Sequence, residues 1–129
     1  MSARSKRLLS ATSILCCIIG AWLAFFPLHR SERFIRAWLL NQVPMGSTLR
    51  DVQALIKRRG WRVEHYNPSS GFLKREPGLV TAVVGSQSLE CFLGKYQSIP
   101  FQVYVNVYWG FDTSGTLTDV WVRKTADGI

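Results

Sequence analysis

FQVYVNVYWGF, residues 101–111, alternates from end to end, and its reading decides the fold. Successive side chains of a strand point to opposite faces. Phe101, Val103, Val105, Val107, Trp109 and Phe111 therefore form one apolar face, which predicts a core, and Gln102, Tyr104, Asn106 and Tyr108 form the other. Asp112-Thr113-Ser114-Gly115 follows as a short turn with a glycine free to take positive φ. Residues 116–124 then read as the returning strand of a hairpin, with Val120 and Val122 on the core side and Asp119, Trp121 and Arg123 opposite.

Toward the amino terminus, VPMGSTLRDVQALIKRRGW (43–61) carries the signs of a helix over 48–59. Ser47 or Thr48 can supply the N-cap oxygen, Asp51 lies in the first turn, Lys57, Arg58 and Arg59 occupy the last, and Gly60 suits the left-handed position beyond it. Leu49, Val52, Leu55 and Ile56 share one face that must be buried. Trp61 to Tyr66 reads as a strand closed by Asn67-Pro68, with residues 68–78 as a polar loop. Leu79–Val84, bounded by glycines, predicts a second and central strand, while 86–100 lacks a clear period and receives no assignment. Helices followed by antiparallel strands predict an α+β layer, with two helices on one face of a small antiparallel sheet and the other face open.

Leu8 to Leu28 is an uncharged run of 21 residues. At ~1.5 Å per helical residue it suffices for a hydrocarbon core of roughly 30 Å. This predicts an uncleaved, single-pass inner-membrane anchor within residues 1–29, since no small-x-small cleavage site closes the run. Leu15 before Cys16 disfavours a lipoprotein signal, and Cys16 and Cys17 read as small apolar residues of the span. Arg4, Lys6 and Arg7 precede the run and Arg30, Arg33 and Arg36 follow it, so the positive-inside count is tied. The short basic stub favours a periplasmic carboxyl-terminal domain. Residues 30–42 form an amphipathic stretch at ~100° per residue, with two readings. Arg30, Arg33, Phe34, Arg36 and Trp38 could lie at a membrane interface against lipid, or the apolar side could pack on the domain formed by 43–129.

The chain of 129 residues carries +8, is 47% hydrophobic and only 19% charged, which excludes a disordered polyampholyte. Residues 1–37 hold six basic and one acidic side chain. The remaining 92 hold ten and seven, so no basic stripe for nucleic acid is expected. His29, His65 and the lone domain cysteine Cys91 assemble no metal site on paper, and no motif for a nucleotide cofactor or a nucleophile elbow occurs. No catalytic residue and no cofactor are expected. Glu64 and His65 are adjacent in a strand and so point apart, and Cys91 reads as a buried free thiol. What remains is aromatic. With Trp61, Val63 and His65 facing the core, Tyr66 joins Tyr104, Tyr108, Trp121 and Arg123 on the opposite side. These types are enriched in interface hot spots. They could equally be cross-strand pairs of a solvated ladder, or be covered by the 67–78 loop.

The order of elements resembles the SmpA/OmlA family, a small α+β envelope module similar to the β-lactamase-inhibitor-protein repeat, over about residues 43–124. The helix opening is carried by Gly46, Ser47 or Thr48, Asp51 and Val52, and the closing hairpin by Phe111, Asp112, Gly115 and Leu117. The resemblance implies a non-enzymatic module that binds a protein partner, either as an inhibitor or immunity protein against a secreted enzyme or toxin, or as an envelope-assembly factor. A different expectation is a small structural subunit of an inner-membrane complex that works through its anchor.

Overall fold

In the computed structural model, residues 13–14, 28–75, 78 and 81–127 are described. The elements are α1 (Glu32–Gln42), α2 (Leu49–Arg59), β1 (Arg62–Asn67), β2 (Phe72–Lys74), β3 (Ala82–Val84), β4 (Gln87–Ser98), β5 (Phe101–Phe111) and β6 (Leu117–Ala126). A four-stranded antiparallel sheet runs β1-β4-β5-β6, and β2 and β3 form a separate two-stranded sheet.

One expectation is overturned at the outset. No helix among the described residues is long and apolar enough to cross a membrane. The expected span, 8–28, lies outside the described residues except for Ser13, Ile14 and Leu28. The single-pass inner-membrane placement and the periplasmic side drawn from it therefore have no helix to carry them among the described residues. The antiparallel sheet and its two helices stand, but the sheet is four-stranded with a two-stranded companion. Leu79–Val84 is not a central strand: Ala82–Val84 pairs only with Phe72–Lys74, and residues 79–80 lie outside the described set. The central strand is β4, from the stretch that had no clear period. Leu89, Cys91 and Leu93 do alternate into the core, but apolar Phe92 projects from the other face and hides the period.

The β5–β6 hairpin forms, and its core face is sealed from Val105 to Phe111, whereas Phe101 at the far end is exposed and Val103 only half-buried. Val105, Val107, Trp109 and Phe111 are fully buried against Val120 and Val122. Their cover is helical: Val52, Leu55 and Ile56 of α2 and Ile35 and Leu39 of α1 join the same core cluster. α2 is held by a reciprocal cap, in which Thr48 Oγ1 accepts from Asp51 N at 3.2 Å and Thr48 N donates to Asp51 Oδ2 at 3.0 Å. Gly60 ends it at φ 70°, in the left-handed region that favours glycine.

The two segments that carry the family resemblance clasp each other. Gly46 N donates to Leu117 O (3.0 Å), Leu117 N to Ser47 O (2.7 Å) and Leu49 N to Gly115 O (2.9 Å). Asp112 Oδ1 stiffens the turn by accepting from Ser114 N, Ser114 Oγ and Thr116 N. Those hydrogen bonds, the Ser114 hydroxyl's first, hold the Asp112 carboxyl below its usual range. Both motifs are thus structural, docking the start of α2 onto the last hairpin.

The amphipathic stretch resolves to its second reading, packing on the domain. Ile35 and Leu39 have no exposed surface. Arg36 Nε donates to Val120 O (2.9 Å) and its Nη2 to Asp119 Oδ1 (3.0 Å), while Lys124 N donates to Glu32 Oε1 (3.2 Å). Glu32 and Arg36, one helical turn apart, therefore occupy backbone groups on the outer edge of β6, which would otherwise offer a template for another strand.

Candidate functional site

The face turned away from the helices is a grid set by strand register. One row across β6, β5, β4 and β1 is Trp121, Tyr108, Glu90 and His65; the next is Arg123, Asn106, Phe92 and Arg62; a third is Thr125, Tyr104 and Lys95. The row on the other side, Asp119, Gly110, Ser88 and Asn67, lies under the β2–β3 hairpin. Gly110 permits this cover, since a Cβ there would stand 3.0 Å from Phe72 Cε1 and 3.3 Å from Val84 Cγ1. Ser88 Oγ donates to Ser70 O at 2.9 Å beneath the hairpin.

Phe72, almost fully buried, ends the open part with an aromatic wall. Its ring lies 5.8 Å from Tyr108 and 6.2 Å from Trp121, nearly parallel to the latter, and Tyr108 and Trp121 are 5.1 Å apart. Arg123 extends over Trp121 at 5.9 Å. The expected open face is thus covered at one end and open over the rest. Two neighbouring clefts sharing Glu90 occupy the open part. One of about 380 Å³ is lined by His65, Phe72, Arg75, Tyr108, Trp121 and Arg123 among others, and one of about 700 Å³ by Arg62, Glu64, Phe92, Lys95, Tyr104 and Asn106.

Four of the five expected binding residues meet here: Tyr104, Tyr108, Trp121 and Arg123. Tyr66 does not. A bulge between Val63 and His65 leaves Glu64 without a partner opposite, and every later residue of β1 changes sides. Tyr66 pairs with core-facing Leu89, and its hydroxyl donates to Gln87 Oε1 on the helix side at 3.3 Å. His65, expected in the core, comes instead to the open face beside Glu90. The same bulge removes the ground for separating Glu64 from His65, since both now line clefts on one side of the sheet.

The residues expected at a membrane interface are divided. Arg36 is spent on β6, and Trp38 packs 6.5 Å from Trp61 with Arg59 over it at 4.7 Å. Arg33 and Phe34 are exposed, and Arg30 lies over the Phe34 ring at 4.4 Å.

Residues that sequence reasoning missed are His65, Arg75, Glu90, Phe92, Lys95 and Asn106. Glu90 accepts from Asn106 Nδ2 at 2.9 Å. Burial first, and then the negative charge of Glu90, raise the Tyr108 phenol above its usual value, with Arg123 opposing. Tyr104, by contrast, is raised chiefly by Asp127. Cys91 lies on the other face, where burial pushes its thiol up to about 12 while Trp109 Nε1 donates to its sulfur at 3.4 Å. Such a thiol carries almost no thiolate at neutral pH. Among the described residues no group of three His, Cys, Asp or Glu side chains could hold a metal ion.

Comparison of the chain with family models, with curated proteins and with solved structures gives no match.

Proposed function

We propose that this protein is a non-enzymatic protein-binding module whose open sheet face receives the partner, as the SmpA/OmlA-like and β-lactamase-inhibitor-protein-like resemblance implies. One observation carries the reading. Phe92, Tyr104, Tyr108 and Trp121 are held half-exposed on a regular sheet whose core, on the opposite face, is complete without them. Rigid aromatic side chains beside an arginine give large contact area at little ordering cost, which is the composition of interface hot spots. The partner on this reading is a secreted enzyme, a toxin or an envelope component, and the module acts by occupying its surface.

The test is affinity purification of full-length protein beside Asn106→Arg, which fills the middle of the face, and Tyr104→Ala. A single stoichiometric protein retained by the wild type and lost from both variants, with thermal midpoints within a few degrees, is the expected outcome. Retention of the same protein by both variants at equal yield contradicts the assignment of the face.

A further inference from the structure

The charges of the open face do not balance. Among the described residues its two clefts are lined by four cations, Arg62, Arg75, Lys95 and Arg123, and by two carboxylates, Glu64 and Glu90, while Asp127 adds its charge beside Tyr104. Both carboxylates are engaged: Glu64 Oε1 accepts from Arg62 Nη2 at 2.6 Å and from its Nε at 3.0 Å, and Glu90 accepts from Asn106. Arg75, Lys95 and Arg123 make no ion pair among the described residues. Two of these, Arg75 and Arg123, line the same cleft, whose aromatic side is Trp121, Tyr108 and Phe72. A guanidinium can bind a carboxylate through two parallel hydrogen bonds. Arg75 and Arg123 are themselves exposed, so each such pair contributes little alone, and the aromatic wall beside them supplies the larger share of the contact.

We infer that, on the reading of this face as a protein-binding surface, its occupant is an acidic segment of the partner, with a carboxylate seated at Arg75 and Arg123 against the Trp121 ring. Glu90 repels a second carboxylate and so directs it to the Arg75 and Arg123 side of the cleft. Lys95, in the adjoining cleft, supplies a further cation for a segment that continues along β4 and β5. An aromatic residue beside the acid would stack on Trp121 or Tyr108. Excess positive charge at the site also speeds encounter with a negative partner and makes binding salt-sensitive.

The test uses fluorescence anisotropy of full-length protein with a labelled ten-residue Glu-rich peptide containing one Phe, a matched Lys-rich peptide and a labelled ten-nucleotide oligo-dT. The acidic peptide is expected to bind at least ~10-fold more tightly than the other two, weakening as salt rises. Arg75→Ala and Arg123→Ala should each weaken it by ~5-fold or more, whereas Lys57→Ala, in the basic end of α2, should leave it unchanged. Equal affinity for the Lys-rich peptide or for oligo-dT overturns the inference, as does indifference to both arginine variants. The same variants separate this inference from the reading beneath it. A partner lost from Asn106→Arg but kept by Arg75→Glu/Arg123→Glu leaves the binding face standing and removes its acidic occupant. A partner kept by all of them removes the face itself.

Discussion

The two faces of the four-stranded sheet are built from the same strands to different ends. On the helix side β5 presents Val105, Val107, Trp109 and Phe111 with no exposed surface, sealed by α1 and α2. On the other side the alternate residues Tyr104, Asn106 and Tyr108 stay half-exposed, and only the Gly110 end is covered by the β2–β3 hairpin. Stability resides in the first face, because burial of large apolar groups dominates it. The second holds aromatic and charged groups whose contacts with one another each contribute little. Substitutions should therefore separate stability from recognition according to the face they strike.

The largest effect is expected at Trp109. Trp109→Ala empties the centre of the sealed face and should cost about 3–5 kcal/mol in chemical denaturation. A loss under about 1 kcal/mol would mean that the two faces do not differ as described. Next is the alkaline behaviour of Cys91 on the same face. The unfolded thiol releases its proton near its ordinary value of 9.0, while the folded one holds it to about 12. The folded pKa is raised, so the stability tied to the protonated thiol is fully present below pH 9 and is lost as pH rises toward 12. The slope reaches up to ~1.4 kcal/mol per pH unit. Denaturation across that range should fall less steeply for Cys91→Ala than for the wild type, and identical slopes would remove the buried thiol from the account.

A smaller change is expected at the cap that docks α2. Thr48→Ala removes one half of the reciprocal cap and should cost about 1 kcal/mol, read in the same denaturation experiment. An unaltered midpoint would mean that the clasp with residues 115–117 suffices without the cap. The smallest stability change belongs to the open face, where Arg123→Ala should stay within about 0.5 kcal/mol of the wild type while partner binding falls. A large loss of stability there would make Arg123 part of the scaffold and blur the comparison.

How much of this was legible in the sequence depended on whether the local signal was complete. The β5–β6 hairpin and α2 were, since a strict alternation with a glycine turn and a capped, glycine-ended amphipathic run each specify one local structure. β4 was not, because Phe92 puts an apolar side chain on the open face and spoils the alternation that Leu89, Cys91 and Leu93 keep. The bulge at Glu64 had no sequence marker, yet it alone sends Tyr66 to the helix side and His65 to the open one. The β2–β3 hairpin reads in sequence as a loop and a central strand, because three-residue strands are too short to show a period. α1 could be seen as amphipathic, but only tertiary contacts decide what its apolar side meets, and they are Ile35 and Leu39 in the common core. The apolar run at 8–28 suggested a membrane span that no helix among the described residues provides.

The central claim is that recognition belongs to the open face, and hydroxyl-radical footprinting of the protein with and without its purified partner tests it most directly. Phe92, Tyr104 and Trp121 should lose reactivity in the complex, while Phe34 and Met45, exposed away from that face, keep theirs. Protection of Phe34 and Met45 with Phe92, Tyr104 and Trp121 unchanged would contradict the account.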